Sequence, residues 1–347
     1  MRINIPSVRR NGNVSLLTER RNGLSVWGEE SEPWTWIWEW PDSWRTPEDI
    51  DAVGAIGNPS DTGPVASVHI REGYLYSING DASDGQERNA SSNNAPNGRS
   101  VRGTSESDGF YIGSGLDPGE IIRTDSSLAA IWSTDIGDTT GGSTLGSGVM
   151  DTKPSNDGQR AYACTILGVS IFDASDGTHL GTESDYVSNV FPDRQNDILY
   201  LSRWNDPLAG GTDEIEAIEE SSGNHLWSHG MTDTPWGITG DRQNQFTISV
   251  GIDGNVSSVL QDGTVVTDNQ DTGLSSVRDC HFSEAHRLLW AYGTDTLASF
   301  HVDQSGNVDS SPTDSYTLSD EARSLALYND ETLYAGNDSG LVYSIEL

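Results

Sequence analysis

The sequence predicts an all-β fold of the propeller type: seven small antiparallel sheets set around an axis, with six or eight as the alternatives. Three observations predict it. The tetrapeptide DRQN occurs twice, starting at Asp193 and Asp241, each time between two apolar runs. Aligning on these copies exposes five more polar corners, at residues 71–73, 107–109, 156–159, 283–286 and 329–331, each ahead of an apolar, aromatic-bearing run such as YLYSI, FYIGS or RLLWAYG. Their average interval of about 40 residues is that of propeller blades. Between corners, EIEAIEESSGNHLWSHG and NVSSVLQDGTVVTDN alternate in period two around Gly-Asn or Asp-Gly turns, which is the pattern of hairpins. A two-sheet sandwich would not need one corner repeated through seven units.

Taken in order, the chain divides into an amino-terminal arm, residues 1–64, and a propeller, residues 65–347. Residues 45–64 read as a linker or a short helix, and the polar run 80–100 as a surface loop. The last unit, ARSLALYNDETLYAGNDSGLVYSIEL, stops after three strands. A fourth must come from elsewhere or a sheet edge is left open. NVSLLTERRNGLSVWGEE or the nearby tryptophan run is expected to supply it, so that both chain ends fasten the ring.

Composition bounds the rest. The chain has 347 residues and a formal charge of −34, and Lys153 is the single lysine. The acids are interspersed with Trp, Tyr, Leu and Val, which excludes a disordered acidic tail. In molar salt the Debye length falls to about 3 Å, so repulsion among surface carboxylates is largely screened. Such a charge argues against nucleic acid or anionic lipid as a partner. No run approaches the roughly 18 apolar residues of a membrane span, and no apolar segment follows the early arginines as a secretory signal would require. Cys164 and Cys280 are too few for a disulfide or zinc scaffold and read as buried thiols.

The blade-end runs, DG or SG followed by LW-type residues as in SGNHLW, resemble those of pyrroloquinoline-quinone-like and WD40-like propellers over residues 65–347. The Trp-Asp dipeptide is not regular, and the tryptophan docking pattern of the quinone enzymes is incomplete. The resemblance therefore implies a fold and no activity. The even acidic coat with almost no lysine resembles proteins of extremely halophilic archaea and their viruses.

No catalytic constellation stands out. The seven histidines are scattered, and His225 and His229 lie on a strand-like run. Nucleophile elbow, Walker loop and CxxC are all missing. The Asp/Gly loops from Gly80 and from Asp173 carry oxygen ligands of the kind calcium accepts, but they read first as hairpin turns. No enzyme activity, resident cofactor or metal is expected.

Two features of the arm point to binding instead. Trp34, Trp36, Trp38 and Trp40 alternate, so an extended strand puts all four indoles on one face. They could pack as core, or form a contact surface for a protein or glycan. Arg2, Arg9, Arg10, Arg20 and Arg21 stand against Glu19 alone in the first 23 residues, a positive segment in an acidic chain. It pairs with the chain's own acids or docks onto a second acidic protein through bidentate Arg–carboxylate contacts.

The function expected is a non-enzymatic interaction propeller adapted to high salt, a virion component such as a capsid decoration, turret or tail-associated protein of a haloarchaeal virus. It would work in a larger assembly, with a host surface protein or glycan as a further partner. The alternatives are a cytoplasmic haloarchaeal scaffold propeller and, third, a channel enzyme.

Overall fold

The computed structural model describes residues 98–104, 108–114, 119–126, 129–136, 148–165, 168–184, 186–204 and 213–318, together with strands at 15–20, 34–39, 50–57, 64–70, 74–79, 85–86, 322–328, 332–337 and 341–347. The fold is an all-β propeller. The described strands pair antiparallel into seven sheets, six of four strands and one of five. Of the seven blades expected, five are described down to their side chains: blade I (98–135), blade II (151–184), blade III (187–230), blade IV (235–271) and blade V (280–317). A leading sheet spans 50–86. A terminal sheet joins Ala322–Tyr328, Thr332–Asn337 and Leu341–Glu346 to Trp34–Glu39 and, outermost, Ser15–Arg20.

The first strand of each sheet faces the axis. Neighbours touch in the order Ile50–Gly57, Gly98–Gly103, Asp151–Pro154, Val187–Asp193, Pro235–Asp241, Cys280–Ser283 and Ala322–Tyr328, and the last of these returns to the first. Residues 45–64, expected as linker or helix, hold the strand Ile50–Gly57, so the sheets begin there and not at residue 65. The corner at 71–73 joins the second and third strands of its sheet, whereas the other six join the first and second. Alignment on polarity alone could not separate the two kinds of hairpin.

The core lies between blades. Tyr111 and Val149 pack with Phe172 across I and II, Val169 with Leu201 across II and III, and Phe246 and Ile248 with Leu289 and Phe300 across IV and V. Each blade thus buries both faces, which is why its middle strands read as nearly unbroken apolar runs.

The DRQN corners serve two purposes. The aspartate holds the asparagine: Asn196 Nδ2 donates to Asp193 at 2.8 Å, and Asn244 Nδ2 to Asp241 at 2.6 Å. The arginine reaches back to the preceding blade. Arg242 lies 4.4 Å over the Phe191 ring and donates to the Pro192 carbonyl, while Arg194 bonds Asp157 of blade II.

Outer strands add a second stitch. Trp132 Nε1 donates to Ala174 O of blade II at 3.0 Å, and Trp227 Nε1 to Gln261 O of blade IV at 2.9 Å. Each indole sits on a left-handed glycine: Gly177 has φ +74°, and a Cβ there would meet Trp132 at 2.6 Å.

Asp197, Gln245 and Arg287 each close a corner at φ 56°, 58° and 57°. The Asp197 carboxylate accepts from Ser221, and Arg287 pairs with Asp241, but Gln245 is exposed. Left-handed backbone strains a non-glycine residue by about 1 kcal/mol or more. Gln245→Gly is therefore expected to stabilise the fold by up to about 1 kcal/mol in denaturant unfolding, whereas Arg287→Gly destabilises it through loss of the ion pair.

Candidate functional site

In six of the seven sheets the register places one residue of the inner strand opposite a recurring large residue of the second strand. Arg102 pairs with Tyr111, Lys153 with Tyr162, Phe191 with Tyr200, Thr239 with Ile248, His281 with Trp290 and Ala326 with Tyr334. Two residues earlier, and therefore on the same strand face, stand Ser100, Asp151, Asn189, Gly237, Asp279 and Ser324. These two layers bring Arg102, Lys153, Asp151, Asp279 and His281 together where the inner strands face one another.

Arg102 is the centre. Its Nε and Nη2 donate to the two Asp151 carboxylate oxygens, both at 3.1 Å, which is a bidentate fork. Nη2 also donates to Asp279 Oδ2 at 2.6 Å, and Nη1 to the Leu325 carbonyl at 2.5 Å. One side chain from blade I thereby contacts blade II, blade V and the terminal sheet. Two sheets lie between blade V and blade I around the ring, so the contact crosses the axis. Ser100 Oγ and the Thr152 amide complete the shell of Asp151 Oδ1, and Lys153 Nζ lies 3.4 Å from Asp151 Oδ2.

The electrostatics balance. Burial works against the Arg102 charge, but Asp151 and Asp279 outweigh it and hold the guanidinium firmly protonated. Burial would likewise raise both carboxyls, yet Arg102, aided by Lys153, holds Asp151 and Asp279 below the usual carboxylate range. His281 Nε2 shares the Leu325 carbonyl at 3.0 Å and lies 3.3 Å from Arg102 Nη1. Burial, partly opposed by Asp279, holds this imidazole below its ordinary value and therefore neutral. Two cations and two anions remain, already paired, in a cluster whose members are nearly all withdrawn from water.

Arg102, Asp151, Asp279 and His281 escaped the sequence reading, although they left a signal. DTK at 151–153 and DCH at 279–281 put an acid two residues before a base, just ahead of a corner, in equivalent strands. Of the residues singled out earlier, Trp34, Trp36 and Trp38 lie on a strand paired with Leu341–Glu346, and Arg20 ends the strand beyond it. Their side chains, and Trp40, Arg2, Arg9, Arg10 and Arg21 altogether, fall outside the described residues.

The loop from Asp173 is a hairpin turn whose acids face its own backbone: Asp173 Oδ1 accepts from the Ser175 amide at 2.8 Å, and Asp176 Oδ1 from that of Thr178 at 2.9 Å. Most of the loop from Gly80 lies outside the described residues. Among the described residues no group of three His, Cys, Asp or Glu is placed to hold a metal ion, and no helix is long and apolar enough to cross a membrane. His225 and His229 lie on one outer strand beside Glu216 and Asp268. Both thiols are free and buried, and burial raises their pKa values.

No family model matches the chain, and no curated protein does. Solved structures do. The chain is similar to the WD40 β-propeller domain of Doa1 (13% identity, TM-score 0.64, covering 86% of this chain and 93% of that one). It is also similar to BamB from Moraxella catarrhalis (15% identity, TM-score 0.54, covering 86% and 85%). At such identities the likeness shows the fold alone, a β-propeller.

Removing one partner of a buried ion pair costs about 3–5 kcal/mol, because the other charge stays behind unpaired. Arg102→Met, which strands two carboxylates, should lose at least that much in denaturant unfolding, and more than Lys153→Met.

A pH dependence follows as well. The unfolded His281 takes up a proton as pH falls through about 6.5, while the folded ring stays neutral. Its contribution is therefore present above that pH and is lost on acidification toward the folded value. Asp151 and Asp279 lose theirs only further down, below about pH 4. Stability of His281→Gln should be flatter than wild type between about pH 7 and pH 5 and should keep the acid loss.

Proposed function

We propose that the chain is a non-enzymatic, protein-binding propeller of seven blades, adapted to high salt and closed by its amino-terminal strands. The observation that carries this is the placement of its cations. Arg102, Arg123, Lys153, Arg160, Arg194, Arg203 and Arg287 each face a carboxylate of the same chain, and none has a side chain more than 24% exposed. Apart from Arg278, which is exposed, the charge left on the described surface is largely carboxylate, a coat that repels itself in dilute salt and is screened in concentrated salt. At the axis the charged cluster fills its own valences, which favours the rim and the arm as the contact surfaces.

Within this reading the arginine- and tryptophan-rich arm is the docking element, and the protein is a structural component of a haloarchaeal virion. Its rim would be turned to a host surface protein or glycan. Mass spectrometry of purified virus particles against whole host cells tests the assignment. Enrichment in particles supports it, and presence in uninfected cells replaces it with a cellular scaffold. The salt reading has its own check. The melting temperature should rise steadily from dilute buffer to molar potassium chloride, and a flat or falling trend overturns it.

A further inference from the structure

Four large aliphatic residues are exposed among the described residues: Ile131 at 50%, Leu180 at 51%, Leu226 at 46% and Val265 at 40%. All four lie on fourth strands, the outer edges of blades I to IV. Three of them share a cause. The pairing of third and fourth strands slips between Ala130 and Trp132 in blade I, between His179 and Gly181 in blade II, and between His225 and Trp227 in blade III. Ile131, Leu180 and Leu226 are the skipped residues. A bulge re-aims the side chains around it. Here it turns Trp132 and Trp227 toward the next blade and leaves an aliphatic knob pointing out at the same height on three consecutive blades.

Carboxylates accompany the knobs. Asp135 ends the strand of Ile131, and Asp176 sits in the turn before Leu180; both are exposed. Glu219 faces Asn224 across the pair that carries Leu226. The bulges also twist these edges away from straightforward strand addition, so an occupant must bind through side chains. By contrast, the pairing of Trp34–Glu39 with Leu341–Glu346 has no slip, and that edge carries the fifth strand, Ser15–Arg20.

We propose that this rim of blades I to III receives the amino-terminal segment of a second copy of the chain, its arginines on the rim carboxylates and its apolar residues against the knobs. Charge complementarity selects this occupant. Seven of the described cations, Arg102, Arg123, Lys153, Arg160, Arg194, Arg203 and Arg287, pair with carboxylates inside the blades, and Arg278 is exposed. Arg2, Arg9, Arg10, Arg20 and Arg21 against Glu19 make the first 23 residues opposite in sign to the chain as a whole. The sequence there, NVSLLTERR, also places Leu16 and Leu17 beside arginines. Arm and rim are different surfaces, so the contact is heterologous and propagates from copy to copy into a ring or filament. The inference rests on the arm being a docking element and adds what it docks to.

Sedimentation velocity of the full chain in molar potassium chloride tests it. The wild type should self-associate. Leu180→Ser with Leu226→Ser on the rim, or Arg9→Glu with Arg10→Glu on the arm, should each raise the dissociation constant by about tenfold or more. Unchanged melting temperatures would show that both variants fold. Mixing the two variants should restore one good interface, because the rim variant keeps its arm and the arm variant keeps its rim, and a heterodimer should appear. A wild type that stays monomeric, or a mixture that does, overturns the proposal. A monomer whose intact arm still binds another acidic protein would leave the docking role of the arm standing while removing self-docking.

Discussion

Arg102 is the constraint on which the ring depends. A propeller is ordinarily held by nearest-neighbour packing, each sheet against the next, and nothing in that arrangement links distant blades. Here one guanidinium bonds carboxylates of blades II and V and a carbonyl of the terminal sheet. The charges leave water at a cost that is offset only when every one of these contacts is made at once. A ring with blade I displaced against blade V would bury the same charges without their partners. The cluster thus acts on register: it penalises wrong closures more than it rewards the right one.

Around that centre, the interfaces between blades repeat one plan with different chemistry. At the inner corners the stitch is an arginine, on the Phe191 ring and Pro192 carbonyl in one case and on Asp157 in another. At the outer turns it is an indole on a glycine between blades I and II and between III and IV. Blade II ends in Gly181 where its neighbours have tryptophan. The turn it faces carries Glu220, a buried carboxylate that accepts from Arg160 at 2.5 Å and from Tyr162 at 2.6 Å. Where the aromatic dock is missing, an ionic one replaces it, so each seam from blade I to blade IV retains a directional contact besides its apolar core.

The fold was largely legible because a blade writes itself into sequence at short range. Corner, aromatic strand and Gly turn recur, and the alternation between them is local. Two things were not legible. The strand Ile50–Gly57 looks like a linker because Gly54 and Gly57, with the Asn-Pro that follows, carry turn chemistry in a segment whose pairing partner is known only from the tertiary structure. The charged cluster was invisible for a related reason. Arg102 and Asp279 are 177 positions apart, and only closure of the ring makes them neighbours. Asp151 and Lys153 read as two more charges in a chain with 53 acids until the register shows which strand face they occupy.

The outer bulges join stability to the proposed docking surface. In blades I and III the extra residue is what allows an indole to turn inward onto the next blade, and the same insertion pushes an aliphatic side chain outward. Burying the dock and exposing the knob are one backbone event. In blade II the bulge persists around Leu180 although Gly181 has no indole to deliver. Docking therefore does not account for it there, and its remaining consequences are an edge that resists strand addition and an exposed leucine. In the concentrated salt proposed as its medium, an acidic protein could not rely on long-range attraction, because screening would confine every electrostatic contact to a few ångströms. Recognition must then come from apolar contact and from close Arg–carboxylate pairs. A rim that sets knobs among carboxylates is built from the ingredients that survive in that solvent.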